Sequence, residues 1–168
     1  MPTHFEGCEG IVRALNAYIN LVRASDSVAS KLAVYIESEG VTTSQFAVLE
    51  ALLHLGPMCQ HELADKLLRS GGNMTLVVDN LQKQGWVKRV RLAKDRRMVQ
   101  IQLTTKGRRL IARIFPEHAK MIAQVMSELT PAEQEELRRI ARKLGRGAEA
   151  LCAERLKKEI HHDSHPTE

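Results

Sequence analysis

Apolar residues recur at the three- and four-residue step of a helix early in the chain, at Ile11, Leu15, Tyr18, Val22, Ala29, Leu32 and Ile36, with no proline among them. That stripe predicts one long helix of roughly 25–30 residues. A second helix opens at Thr42, with Gln45 placed to close a capping box, and turns Phe46, Leu49, Leu52 and Leu53 inward before Gly56-Pro57 stops it. A short third helix over 60–69 puts Leu63, Ala64 and Leu67 on one face. Ser70-Gly71-Gly72 is read as a break, after which 73–84 resumes helical spacing with Met74, Val78 and Leu81 inside and Gly85 as terminator. Two short helices joined by a glycine turn make a helix-turn-helix unit.

After Gly85 the period changes from helix to strand. Residues 86–91 and then Val99, Ile101 and Leu103, alternating with Gln100 and Gln102, predict a hairpin with a basic tip over 93–97. Thr104 is placed to cap a helix carrying Leu110, Ile114, Ile122 and Val125, with a kink expected near Pro116. Thr130-Pro131-Ala132-Glu133 combines an N-cap, a proline at the first helical position and a capping-box glutamate, so a further helix starts there. It should turn Leu137, Ile140 and Leu144 inward, weaken at Gly145 and Gly147, and give way to a last amphipathic piece around Leu151 and Leu156 before a frayed tail. The expected fold is mainly α with a small β-hairpin wing. Its parts are a helical segment 1–40, a winged helix-turn-helix 41–105, C-terminal helices 106–160 and a tail 161–168.

Length and composition fit one ordinary folded domain: 168 residues, 43% apolar and 27% charged. Residues 1–10 lack an apolar core of signal-peptide length, and no stretch approaches a membrane span, so a cytoplasmic chain without a membrane partner is expected. The three cysteines, Cys8, Cys59 and Cys152, form no C-x-x-C pair and read as reduced thiols. Charge changes the picture more. Of the residues in 60–110, twelve are basic (Lys66, Arg69, Lys83, Lys88, Arg89, Arg91, Lys94, Arg96, Arg97, Lys106, Arg108 and Arg109) and four are acidic (Glu62, Asp65, Asp79 and Asp95). The whole chain carries only +5, so a polyanion-binding middle is framed by more acidic flanks.

The chemistry follows from that placement. On the helix 73–84, burying Met74, Val78 and Leu81 leaves Asn73, Thr75, Leu76, Asn80 and Lys83 outward or on the flank, where the polar members suit base edges and Leu76 a thymine methyl. Ser70, Gly71 and Gly72 open the helix, and glycines without side chains let backbone amides near a phosphate. Lys88, Arg89, Arg91 and Lys94 suit phosphate neutralisation better than base reading. At the hairpin tip Asp95 can orient one guanidinium of the pair Arg96 and Arg97 while the other enters a minor groove. Asp79, whose carboxylate would repel phosphate, is expected to pair with a wing arginine, and Trp86 to anchor helix against wing.

Several motifs in order carry a family resemblance. They are Thr43-Ser44-Gln45-Phe46-Ala47-Val48-Leu49, the run from Ser70-Gly71-Gly72-Asn73 to Asp79-Asn80-Leu81, Gly85-Trp86-Val87, and Asp95-Arg96-Arg97 followed by Leu103-Thr104 and Lys106-Gly107. Together they resemble the MarR family of bacterial transcription regulators over about residues 11–144. The resemblance implies a winged helix-turn-helix with N- and C-terminal dimerisation helices, an obligate homodimer, a pseudo-palindromic operator in double-stranded DNA, and Arg97 as the groove-entering residue oriented by Asp95. Within the family, residues 70–81 together with Ile114-Phe115-Pro116-Glu117-His118-Ala119 look like the subgroup that responds to quinones and catechols. That implies a repressor released by a small phenolic or quinone effector.

Another branch of the family senses peroxide through an N-terminal cysteine, which makes Cys8 a redox candidate. An inert thiol is the better reading of Cys8, while Cys59, just before the helix-turn-helix, is a second candidate whose oxidation would have a more direct consequence. His54, His61 and His118, with His161, His162 and His165 in the tail, lack ligand spacing, so no metal and no cofactor are expected. No phosphate loop or nucleophile elbow points to an enzyme. A winged helix used for protein association or for non-specific DNA coating is the remaining alternative.

Overall fold

The computed structural model describes residues 3–67, 70–91 and 98–162, with 152–162 as backbone. The chain divides into two compact units, residues 1–123 and 124–168. In the first, α1 (Glu9–Ser38) is followed by α2 (Thr43–Leu55), β1 (Met58–Cys59), α3 (Gln60–Lys66), α4 (Gly71–Lys83), β2 (Val87–Arg91), β3 (Val99–Leu103) and most of α5 (Thr105–Met126). The second unit holds the end of α5 and α6 (Pro131–His162). Among the described residues, six helices and a small antiparallel sheet give the mainly α, winged architecture that the periodicity predicts.

The core lies where α2, α3 and α4 meet the sheet. Phe46, Val48, Leu49 and Leu52 of α2, Leu63 of α3, and Met74, Val78 and Leu81 of α4 are buried with Val87, Ile101, Ile111 and Ile114. The three α4 residues are those expected to point inward. Thr42 caps α2 through a complete capping box: its hydroxyl accepts from the Gln45 amide at 3.3 Å, and the Gln45 side chain accepts from the Thr42 amide at 3.0 Å.

The structure departs from the sequence reading in four places. First, the wing is part of a three-stranded sheet in the order β1-β3-β2, because Met58 and Cys59 pair with Ile101 and Gln100. A two-residue strand has no alternation to read. Second, Gly71 and Gly72 are not a break but the first turn of α4, with Ser70 as its N-cap. Third, α6 runs 32 residues through Gly145 and Gly147 and into the expected tail, whereas α5 holds Pro116 inside one helix as the pattern indicates. Fourth, residues expected to face inward are exposed. Ile11, Tyr18 and Val22 of α1 and Leu137, Ile140 and Leu144 of α6 all lie open, and in α1 only Ile36 is buried. The helical period holds, but among the described residues nothing covers these faces.

Candidate nucleic-acid interface

The site is built by α3, α4 and the β2–β3 hairpin. The Ser70 hydroxyl accepts from the Asn73 amide at 3.4 Å and starts α4. A Cβ placed on Gly71 or Gly72 would meet nothing within 4 Å, so the first turn of α4 stands open to an approaching ligand. Along α4, Asn73, Thr75, Asn80 and Lys83 are exposed, as is Leu76 at 62%.

The end of α4 is fixed firmly. Gly85 takes φ +70, its amide donates to the Gln82 carbonyl at 2.9 Å, and the Trp86 amide donates to the Leu81 carbonyl at 3.0 Å. This pair of bonds satisfies the last carbonyls of the helix and turns the chain straight into β2. Trp86, half-buried, packs on the core as an anchor between helix and wing.

In the hairpin, Val87 pairs with Leu103, Arg89 with Ile101 and Arg91 with Val99. Lys88 and Arg91 are exposed. Arg89 is partly buried and engaged: it donates to Asp79 Oδ1 at 2.6 Å, Gln82 Oε1 at 2.6 Å and Gln60 Oε1 at 3.4 Å. Asp79 thus pairs with a wing arginine, the role expected for it. Thr75 is also engaged, for its hydroxyl accepts from Gln60 Nε2 at 2.6 Å and donates to the Gly71 carbonyl at 3.0 Å. Lys94, Asp95, Arg96 and Arg97 lie outside the described residues, so the tip of the wing has no described geometry.

Sequence reasoning passed over Gln60 and Gln82, which do not stand out as chemistry in a helix pattern. It also passed over the brace behind the wing. The Thr104 amide donates to the Trp86 carbonyl at 3.0 Å, its hydroxyl donates to the Gly85 carbonyl at 2.7 Å, and it accepts from the Gly107 amide at 3.0 Å. Lys106 Nζ donates to the Gln84 carbonyl at 3.0 Å.

Of the two candidate sensor thiols, Cys8 is exposed just before α1, and Cys59 is buried at the start of α3. Burial, and then the neighbouring Glu62 carboxylate, push the Cys59 thiol up, which holds it in its unreactive protonated form. Glu62 also accepts from the Cys59 amide at 2.6 Å, a capping contact of α3. Among the described residues no group of three or more histidine, cysteine or acidic side chains is placed to hold a metal ion. None of their helices is long and apolar enough to cross a membrane.

Comparison with known proteins agrees with this geometry. The MarR family signature matches residues 41–99, which span the helix-turn-helix and the start of the returning wing strand. The chain is 36% identical over 137 residues to the HTH-type transcriptional regulator YkoM of Bacillus subtilis (strain 168), covering 82% of this chain and 89% of that protein. It is 34% identical over 136 residues to the HTH-type transcriptional regulator MhqR of the same organism, covering 81% and 94%. Among solved structures, AbsC, a MarR family transcriptional regulator from Streptomyces coelicolor, superposes with a TM-score of 0.78 at 16% identity, covering 87% of this chain and 99% of that one. The S. aureus MepR–DNA complex gives 0.69 at 25%, covering 77% and 97%, and NadR in complex with 4-hydroxyphenylacetate gives 0.68 at 21%, covering 86% and 97%.

The fold, the exposed helix beside a basic hairpin and the family match define a winged helix-turn-helix DNA-binding protein. The chain belongs to the MarR family and is a transcriptional regulator of that family.

Proposed function

We propose that this chain is a sequence-specific repressor acting as a homodimer, which lays α4 in the major groove and the β2–β3 wing along the neighbouring minor groove. The observation that carries the reading is the outward row of α4 at the head of an open, glycine-started helix. Asn73, Thr75, Leu76 and Asn80 read bases, and the Ser70-Gly71-Gly72 turn with Lys83, Lys88, Arg91 and Lys94 binds phosphates. Arg97, oriented by Asp95 and flanked by Arg96, enters the minor groove, a role that rests on the motif resemblance.

Residues 41–105 form the reading head, while α1 and the C-terminal helices form the dimer, whose apolar faces the single chain leaves open. The protein works without enzymatic activity, in the cytoplasm. Its effector is a small phenol or quinone. This rests on the subgroup motifs, and a fold neighbour, NadR, was crystallised with 4-hydroxyphenylacetate. The Cys59 environment favours reversible binding over oxidation as the trigger.

The test is to sequence fragments of the source genome retained by the purified protein and to titrate the recovered site against a scrambled duplex at stated salt. A pseudo-palindromic site with half-sites about one helical turn apart is expected, with Arg97→Ala losing most of the affinity for it. Equal affinity for recovered and scrambled duplexes would leave a non-specific DNA-coating module.

A further inference from the structure

Resting on the DNA-reading role above, we infer that Gln60 and Arg89 are positioning residues that set the recognition helix against the wing, and that the Arg89 guanidinium is not a phosphate contact. Five side chains from three elements form one run of hydrogen bonds. It starts at the Gly71 carbonyl, which accepts from the Thr75 hydroxyl at 3.0 Å, and that oxygen accepts from Gln60 Nε2 at 2.6 Å. The other end of the same amide, Gln60 Oε1, accepts from Arg89 Nη2 at 3.4 Å. Arg89 Nη2 also donates to Asp79 Oδ1, and its Nη1 to Gln82 Oε1, both at 2.6 Å. Gln60 belongs to α3, Thr75, Asp79 and Gln82 to α4, and Arg89 to β2, so the run ties three elements of the reading head together.

Charge argues in the same direction. A carboxylate on the DNA-facing helix repels phosphate, and Arg89 neutralises it at 2.6 Å. Three of the five guanidinium N–H donors are taken, by Gln82, Gln60 and Asp79, and a phosphate that claimed the whole fork would leave that carboxylate bare beside a polyanion. The Asp79–Arg89 pair is close to neutral as a unit and releases no counterion on binding. Thr75 is constrained likewise. Its single hydroxyl proton is spent on Gly71, so toward a base it offers a methyl group or an acceptor, and Gln60 holds it there. Specific binding requires helix and wing to reach their grooves together, whereas non-specific binding does not. Loosening the run therefore costs specific affinity first.

The experiment titrates the full-length protein with its recovered operator and with a scrambled duplex, from about 50 to about 200 mM salt. Gln60→Ala, and Arg89→Gln made together with Asp79→Asn so that both charges of the pair go, are expected to weaken operator binding by about tenfold or more, to leave the scrambled duplex unchanged, and to leave the salt slope unchanged. Lys88→Ala, an exposed neighbour on β2, is expected to weaken both duplexes alike and to lower the slope by about one. Arg89→Lys guards against a misfolded double variant: it keeps the charge but not the planar fork, and should lose operator preference in the same way. A slope lowered by about one in the Arg89→Gln, Asp79→Asn double variant, its equal loss on both duplexes, or full operator preference in Arg89→Lys would overturn the assignment. A wild-type protein without operator preference would instead overturn the DNA-reading role itself.

Discussion

His118 carries a polar atom that the fold leaves unpaired. Its ring packs on Phe46 with centroids 4.5 Å apart, and its Nδ1 is buried with no hydrogen-bond partner among the described residues. Burial holds its pKa below the ordinary 6.5, and the Glu50 carboxylate offsets this in part. The folded state therefore binds fewer protons than the unfolded chain as pH drops below 6.5, and the stability held above that value is lost as pH falls through the depressed pKa. Urea midpoints measured across pH should decline from there. His118→Leu, which cannot take up a proton, should flatten that part of the profile. The depressed carboxylates Glu133, Glu135 and Glu136 act only below 4.5, so the two limbs separate. A wild-type midpoint flat between 7 and 5 would refute the neutral buried imidazole. Gly107 is the other residue fixed by packing, since a Cβ there would sit 2.0 Å from the Trp86 carbonyl oxygen. Because backbone faces backbone, Gly107→Ala should cost about 3 kcal/mol in denaturant unfolding, the upper end of overpacking. The sequence shows Gly107 inside a motif, but its reason lies in a contact with a residue twenty-one positions away.

Helices were legible where their ends carry chemistry. Thr42, Thr104 and Thr130 all cap as their patterns indicate, the last with the Glu133 carboxylate accepting from the Thr130 amide at 2.8 Å. The glycines were misread for a physical reason. Gly71 and Gly72 carry a propensity cost that looks like a break, but a capped first turn absorbs it, and Gly145 and Gly147 sit inside a helix long enough to tolerate it. The exposed row of α4 was readable because burial of Met74, Val78 and Leu81 fixes the opposite face. The hydrogen-bonded run through Gln60 and Arg89 was not, because it joins elements whose proximity no periodicity encodes. Ser70→Ala should lower stability by about 1 kcal/mol in urea unfolding and weaken operator binding as the first turn frays. An unchanged midpoint would deny Ser70 its cap. Asn73→Ala should instead relax discrimination between bases by about 1–3 kcal/mol with stability retained, read from titrations against single-base variants of the operator.

At the scale of the molecule, open apolar faces on α1 and α6 call for a second copy. Light scattering at micromolar concentration should return a dimer mass. Ile140→Glu, which places a charge on the α6 face, should shift it toward monomer and abolish operator binding while the reading head stays folded. A monomeric wild type would remove the basis for a palindromic operator. The same scaffold sets the terms of induction. An effector shifts the balance between DNA-bound and released dimer only by its differential affinity, so a reversible phenol must bind the free protein more tightly than the bound one. Small movements at the helices that carry two reading heads would change their spacing, and both heads must fit half-sites about one helical turn apart. Gel shifts with catechols, quinones, salicylate and peroxide, repeated on a protein with Cys8, Cys59 and Cys152 replaced by serine, separate the routes. Release by a phenol or quinone that survives the triple replacement is the expected result, since Cys59 is buried with its thiol pushed up. Release by peroxide that disappears with the cysteines would make the protein a redox sensor, with exposed Cys8 the first thiol to restore. Release by none of these compounds would separate the repressor from phenolic sensing altogether.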